Sequence, residues 1–129
     1  MPTVFNATVR VEYAVPKQKV EHALERYVTR LKTRVSLRKV ILFGSYPRDS
    51  YSHGSDVDLL IVADDLPSDQ SQRYTMFKDT LIGLDLQPFS YTTQEWSSMV
   101  KSGSGFAREV RQHGIAIYPR KSSRRKMSA

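Results

Sequence analysis

The chain has 129 residues, of which 40% are hydrophobic and 26% are charged. This length suits one domain with a single hydrophobic core, and two full domains would not fit. The longest uninterrupted apolar stretch, residues 59–63, is far shorter than the roughly 20 residues of a membrane-spanning helix. Cysteine is absent, which excludes disulfides, thiolate catalysis and cysteine-bound zinc. The first residues lack the pattern of a signal peptide, so we expect a cytoplasmic protein.

The formal net charge of +7 is concentrated near the end of the sequence. Residues 120–129 contain five basic side chains and no acidic one, which leaves a net charge of +2 on the rest. We expect these residues to form a disordered, solvated tail, with a contact to phosphate or an acidic partner as the alternative. The confinement of charge to the tail, without a motif of stacked aromatic residues, argues against a nucleic-acid-binding protein.

The first half of the chain predicts a strand, a helix and two further strands. Residues 5–13 alternate between apolar and polar side chains, which predicts a half-buried edge strand. A helix of about five turns follows Pro16, with apolar residues at spacings of three and four over residues 20–35. Residues 40–43 and 57–63 are apolar runs typical of strands buried on both faces, and a polar loop joins them.

The second half of the chain continues this alternation. Ser68 caps a second helix that ends at Gly83, and a strand follows around residues 84–91. Thr93 caps a short third helix. A last helix over residues 106–113 and a short strand over residues 115–118 complete an α+β fold, in which helices flank a mixed β-sheet.

Two acidic residues, Asp56 and Asp58, stand at the beginning of an apolar strand. Because side chains alternate along a strand, both carboxylates lie on the same face. Two like charges there repel each other unless a cation lies beside them, and hard oxygen ligands suit Mg²⁺ or Mn²⁺. A third carboxylate, Asp85, opens the next strand between two leucines, which we expect to bury it. Burial of a carboxylate at such a position indicates a metal ligand.

A Gly-Ser pair, Gly44 and Ser45, ends the preceding strand at the same edge of the sheet. Glycine allows the backbone to approach a ligand closely, and the hydroxyl and N–H groups that follow can hold phosphate oxygens. Phosphate on one side and carboxylates on the other predict a nucleotide–metal site. In such a site, two cations polarise the phosphorus centre and align the displacement.

The stretch GSYPRDSYSHGSDVDLL, residues 44–60, closely resembles the signature of the minimal nucleotidyltransferase family of the DNA polymerase β superfamily. Arg48 stands where that family often has a loop arginine, and Asp49 stands where the family often has glycine. The segment Leu-Asp-Leu around Asp85 is similar to the family's third-aspartate strand. The ending GFAREVRQHGIAIYPR looks like the family's usual helix, glycine turn and strand. The resemblance covers about residues 20–119.

This resemblance implies a polymerase β-like nucleotidyltransferase core that transfers AMP from ATP to a hydroxyl group and releases pyrophosphate. By position, Asp56 and Asp58 would ligate two Mg²⁺ ions, with Mn²⁺ as a possible substitute. Asp85 would complete the catalytic metal site and help to activate the acceptor hydroxyl. Four residues would bind the nucleotide: Gly44, Ser45, Arg48 and Ser55. For Arg48, a salt bridge within the loop is the alternative to a phosphate contact.

The sequence predicts three segments: an edge strand over 1–15, the nucleotidyltransferase domain over 16–119 and the tail over 120–129. Small stand-alone members of the family commonly work beside a HEPN protein, a helical toxin of RNase type, and neutralise it by attaching AMP to a tyrosine. The resemblance therefore implies an antitoxin-like enzyme with a HEPN partner. Modification of a small, aminoglycoside-like molecule by a homo-oligomer is the second interpretation. A non-catalytic module that masks a partner is the third, and the three carboxylates argue against it.

Overall fold

A computed structural model describes residues 14–52 and 54–120. The predicted strand over residues 5–13 lies outside the described residues, as does the tail beyond Arg120. The described residues form, in chain order, α1 (Lys17–Leu31), β1 (Ser36–Phe43), β2 (Val57–Asp64), α2 (Gln70–Phe77), β3 (Thr80–Leu81), β4 (Leu84–Tyr91), α3 (Thr93–Ser102), α4 (Gly105–His113) and β5 (Ile115–Tyr118).

The strands form one mixed sheet in the order β3-β4-β2-β1-β5. β1 pairs antiparallel with both β2 and β5, and β3 pairs antiparallel with β4. β2 and β4 run parallel to each other, joined by a crossover that contains α2. The fold is therefore α+β with a mixed sheet flanked by helices, which confirms the predicted class.

Two hydrophobic clusters hold the helices against opposite faces of the sheet. The apolar stripe of α1 packs with Phe77 of α2 against one face, and the hydroxyl of Tyr27 donates a hydrogen bond to the Phe77 carbonyl at 2.5 Å. The other face carries a second cluster, which includes Leu60 of β2, Trp96 of α3 and Val110 of α4. Because helices cover both faces, the side chains of β2 are buried almost throughout.

The second helix differs from its prediction at both ends. Asp69, not Ser68, is the N-cap, and its carboxylate accepts a hydrogen bond from the backbone N–H of Ser71 at 2.9 Å. The helix ends at Phe77 instead of continuing to Gly83. The predicted last turn of the helix is instead the hairpin between β3 and β4, whose turn residues Ile82 and Gly83 have φ angles of 44° and 81°.

Two other helix boundaries shift by a smaller amount. α1 ends at Leu31, and Val35 packs on the core from the segment that follows the helix. The N-cap of α3 is Thr92 and not Thr93, because Thr92 and Glu95 form a reciprocal capping box. The predicted strands 40–43, 84–91 and 115–118 are confirmed, with β1 extending back to Ser36.

Among the described residues, no helix combines the length and the hydrophobicity that crossing a membrane requires.

Candidate active site

The site lies at the edge of the sheet where β1 ends and β2 begins. Asp58 pairs in register with Phe43 of β1 on one side and with Gln87 of β4 on the other. Asp56 precedes β2 by one residue and shares its strand face with Asp58. The predicted spacing of the two carboxylates therefore brings them to one edge, next to the end of β1.

Gly44 follows β1 directly and lies against the Asp58 carboxylate. Its φ angle is 83°, in the left-handed region that favours glycine. A Cβ atom at this position would collide with Oδ2 of Asp58. The glycine predicted to allow a close approach is therefore required here both by its backbone conformation and by the carboxylate beside it.

The loop that follows Gly44 is anchored by a buried tyrosine. Tyr46 has no exposed surface, and its ring stacks on that of Tyr51 with the ring centroids 4.3 Å apart. The backbone N–H of Ser50 donates to the carbonyl of Ser45 at 3.0 Å. Asp49 has a φ of 60°, which places it in the region that glycine prefers and that aspartate tolerates better than most residues. These features fix the backbone of Ser45 relative to the carboxylates.

The electrostatics of the site are unfavourable without a cation. Burial, and secondarily the charge of Asp56, raises the pKa of Asp58 above its usual range. Among residues 14–52 and 54–120, no lysine or arginine forms an ion pair with either carboxylate. A half-buried carboxylate beside a second negative charge stabilises a bound cation, because the cation removes the repulsion.

The donor set fits Mg²⁺. Mg²⁺ is typically bound through one or two protein carboxylates together with water and the phosphates of a substrate. Asp56 and Asp58 supply two carboxylates, and Gly44 lies against one of them without a side chain in between. Within the described part of the chain, no three His, Cys, Asp or Glu side chains lie close enough to share a metal ion.

The third predicted carboxylate, Asp85, stands on β4 two residues before Gln87, the register partner of Asp58, and on the same face of the sheet. The prediction that its leucine neighbours would bury it is wrong, because Asp85 is exposed while Leu84 and Leu86 point to the opposite, buried face. Asp85 pairs in register with Thr80 of β3. It lines a cleft of about 390 Å³ that also contains Asp79 and Gln87.

Two predicted nucleotide ligands already have partners. Arg48 Nη1 donates to Glu109 Oε2 of α4 at 2.6 Å, so its salt bridge joins the loop to a helix. Ser55 Oγ accepts a hydrogen bond from the backbone N–H of Ser52 at 2.8 Å, and its hydroxyl proton remains available to a ligand. Both side chains stand on the polar loop that precedes Asp56.

Two residues of this edge were not selected from the sequence. Gln87 was missed because strand register, which sets its place opposite Asp58, is not visible in a single strand. Glu109 was missed because it lies 61 residues from Arg48. Its position on the exposed side of an amphipathic helix gave no functional signal.

The mixed sheet, with two same-face carboxylates beside a Gly-Ser turn, defines the polymerase β-like nucleotidyltransferase class. The sequence matches the family described as "Nucleotidyltransferase domain" over residues 24–102. This match spans more than half of the chain, so the protein belongs to the nucleotidyltransferase domain family. The resemblance of the motif over residues 44–60 is thereby confirmed.

Two curated proteins from Methanocaldococcus jannaschii are similar to parts of this chain. "Putative protein adenylyltransferase MJ0604" is 48% identical over 46 residues, which are 34% of this chain and 46% of that protein. "Putative protein adenylyltransferase MJ1305" is 30% identical over 77 residues, which are 54% of this chain and 52% of that protein. The chain thus spans about half the length of these relatives.

Proposed function

We propose that this protein transfers AMP from ATP to a hydroxyl group of a partner protein. The observation that carries the proposal is the Asp58 carboxylate, half-buried beside Asp56 and in contact with Gly44. Membership of the nucleotidyltransferase family supports the reaction class. The names of the two similar proteins support a protein as the acceptor.

In the proposed reaction, the acceptor oxygen forms a bond to the α-phosphorus of ATP. The bond between that phosphorus and the bridging oxygen to the β-phosphate breaks, and pyrophosphate leaves. The proton of the hydroxyl passes to a carboxylate of this edge or to water. Mg²⁺ held by Asp56 and Asp58 would supply charge stabilisation for the attacking and leaving oxygens.

The loop residues orient the triphosphate. Gly44 lets the backbone approach the phosphates, while Ser45 and Ser55 offer hydroxyl donors at the same edge. The Arg48 side chain is half exposed, so its guanidinium can exchange the Glu109 carboxylate for a phosphate without leaving a buried charge. Asp85 remains a predicted contributor to activation of the acceptor.

We further propose a cytoplasmic HEPN-type protein as the acceptor, which would make this protein an antitoxin-like enzyme. The two carboxylates and the Gly-Ser turn lie where β1 ends and β2 begins, next to the loop that joins these strands. A domain of this size offers little additional surface, so a second molecule must bring the hydroxyl to the site. A self-associated form of the chain is the alternative source of that surface.

The test is transfer of label from ATP labelled in its α-phosphate, with Mg²⁺ and a candidate acceptor present. We expect label on a cognate HEPN protein with the wild-type enzyme and none with Asp58→Asn. Label confined to aminoglycoside-like molecules would replace the protein acceptor with a small one. Absence of label on every acceptor, with wild-type Mg²⁺-ATP binding intact, would contradict the enzymatic function and favour a masking module.

A further inference from the structure

A cluster of aromatic side chains lies on the face of the sheet that carries Asp58. It consists of Phe43 of β1, Phe89 and Tyr91 of β4, Trp96 of α3 and Phe106 of α4, with the centroids of contacting rings 5.3–6.5 Å apart. Phe43 and Trp96 are buried, and Tyr91 and Phe106 are half-buried. Phe89 is the exposed member of the cluster, with 38% of its surface accessible to solvent.

Strand register places Phe89 next to the candidate active site. Gln87 of β4 is the register partner of Asp58, and Phe89 follows two residues later, on the same face and roughly 7 Å farther along the strand. Phe43, the β1 partner of Asp58, makes an edge-to-face contact with Phe89 at 5.3 Å between ring centroids. The exposed ring therefore borders the edge that carries the carboxylates.

The ring of Phe89 is held in place by its neighbours. Besides Phe43, it contacts Phe106 in the first turn of α4, with ring centroids 5.6 Å apart. The ion pair between Arg48 and Glu109 joins the same helix to the loop that follows Gly44. An aromatic ring that is already fixed loses little conformational entropy when a ligand packs on it. Phe89 thus offers a preformed apolar surface beside the site.

The chemistry of the proposed donor fits this surface. In a nucleoside triphosphate, a ribose joins the charged phosphates to an aromatic base. If the phosphates lie at Asp56 and Asp58, the base lies one ribose away from that edge. Every base has a π face that stacks on aromatic side chains, and stacking removes the apolar surface of Phe89 from water.

A second exposed aromatic residue, Tyr74, is less favourably placed. It is 43% exposed, and it lines the cleft at the outer side of β4. Tyr74 belongs to α2, whose Phe77 packs on the face of the sheet opposite to the aromatic cluster. Asp58 and Phe89, in contrast, share one face. Tyr74 therefore provides a matched control of similar exposure.

We propose that Phe89 is the platform on which the base of the donor nucleotide stacks, and that it favours purines, whose two fused rings cover more of it. This inference rests on the proposed nucleotidyl transfer, because it assigns the base of the same substrate to a surface. The platform recognises the base by its ring area, while the carboxylates and the Gly-Ser turn bind the phosphates.

The experiment is calorimetric titration with Mg²⁺ and a non-hydrolysable ATP analogue, compared with Mg²⁺ and tripolyphosphate, which has no base. We expect Phe89→Leu to weaken binding of the analogue about tenfold, because stacking on a ring is lost, and to leave tripolyphosphate binding within about twofold. Phe89→Tyr keeps the ring and should bind the analogue within about twofold of the wild type. Tyr74→Leu, the matched control, should also stay within about twofold.

The possible results separate this inference from the proposed function. Weaker binding in Tyr74→Leu with no change in Phe89→Leu would move the base to the outer cleft and overturn the inference. So would unchanged nucleotide affinity in Phe89→Leu together with a raised KM for the acceptor, because the ring would then hold the acceptor. If the wild type binds neither the analogue nor tripolyphosphate, the proposed function fails as well.

A measurement on the wild type covers the case in which Phe89→Leu does not fold, as judged by circular dichroism. We expect nuclear Overhauser effects between the adenine protons of the bound analogue and the ring protons of Phe89. Binding of the analogue without these effects would contradict the inference and leave the proposed function standing.

Discussion

The acidic side chains at the two ends of β2 differ in whether they have hydrogen-bonding and cationic partners. At its beginning, Asp56 and Asp58 lie together, and within the described ranges no lysine or arginine pairs with them. At its end, Asp64 accepts hydrogen bonds from Arg38 Nε at 2.9 Å and from the backbone N–H of Thr93 at 3.3 Å. These bonds lower the pKa of Asp64, whereas burial raises that of Asp58.

A second paired acid lies at the same end of the sheet, beyond β4, which runs parallel to β2. Beyond its last residue, Glu95 caps α3 and pairs with Arg73 of α2, at 2.8 Å between Oε1 and Nη1. The Arg73 side chain is only 4% exposed, and its Nε donates to the carbonyl of Pro67 at 2.6 Å. The hydrogen bonds from Arg73, followed by that from the Thr92 backbone, lower the pKa of Glu95.

The acids at the two ends of the sheet therefore contribute to stability with opposite signs. An acid with a cationic partner stabilises the folded state, whereas two adjacent unpaired acids destabilise it until a cation binds. The fold pairs the acids at one end of its sheet with cations, whereas among the described residues the acids at the other end have no cationic partner. Unfavourable local energetics of this kind are common at functional sites.

The largest effect should come from Gly44→Ala, with Gly54→Ala as its matched control. Both glycines have nearly the same left-handed backbone, with φ angles of 83° and 82°. A Cβ at residue 44 would strike Asp58, whereas one at residue 54 would meet no described atom within 4 Å. We expect Gly44→Ala to lower AMP transfer about 100-fold, because it displaces a carboxylate at the reaction centre.

The control variant shares the backbone strain without the collision, so its transfer rate should fall by no more than a few-fold. Rates are measured with both variants folded, as judged by circular dichroism. Equal losses in the two variants would show that strain in the loop, and not contact with Asp58, limits the reaction. The loss of activity would then give no evidence that the position of the Asp58 carboxylate matters for transfer.

At the paired end, Arg73→Leu should cost stability. The substitution leaves the Glu95 carboxylate and the Pro67 carbonyl without their partner, and we expect a loss of about 2–3 kcal/mol in the free energy of unfolding. The control is Arg38→Leu, which breaks the exposed pair with Asp64 and should cost at most about 1 kcal/mol. Urea denaturation measures both values. Similar losses in the two variants would contradict the view that the buried Arg73 contributes more stability than the exposed Arg38.

The two ends should also respond to pH with opposite signs. The raised pKa of Asp58 makes its charge destabilising above the folded-state pKa, and this penalty disappears as the pH falls below the unfolded value of about 3.9. The lowered pKa of Glu95 makes its charge stabilising above the unfolded value of about 4.3, and this contribution disappears as the pH falls through the folded-state pKa.

Unfolding free energies measured without divalent cations, between pH 3 and pH 7, should show this opposition. The stability of Asp58→Asn relative to wild type should increase with rising pH, because the variant lacks the charge penalty. The stability of Glu95→Gln relative to wild type should decrease with rising pH, because the variant lacks the paired charge. If the relative stabilities of both variants changed in the same direction with pH, Asp58 and Glu95 would not make opposite contributions to stability.

Local sequence signals predicted the geometry of the β1–β2 edge. The two-residue spacing of Asp56 and Asp58 requires a common face once a strand is present, and a strand is strongly indicated by the apolar residues that follow. Gly44 at the end of an apolar run predicted a position that needs glycine, and the structure shows that Asp58 occupies the space a Cβ would take; the close approach to a ligand stays a prediction. Both inferences need only neighbouring residues and one regular geometry.

Features that depend on distant residues could not be predicted in this way. The pairing of Arg73 with Glu95 spans 22 positions, and the register that sets Gln87 beside Asp58 is defined only between strands. The predicted end of α2 at Gly83 failed for a related reason. Leu81 and Ile82 continue the helical spacing, but pairing of Leu81 with Leu84 in a hairpin outweighs that local preference.

Thermal melting of wild type and Asp58→Asn, with and without Mg²⁺ and a non-hydrolysable ATP analogue, tests whether the Asp56–Asp58 edge binds a cation. We expect Asp58→Asn to melt at the same temperature as the wild type or higher when EDTA is present, because a repulsive charge is removed. We expect only the wild type to gain stability from Mg²⁺ and the analogue, by linkage of binding to folding. An Asp58→Asn protein that is destabilised in EDTA, or that gains as much as the wild type from Mg²⁺ and the analogue, would show that Asp58 is not a cation ligand.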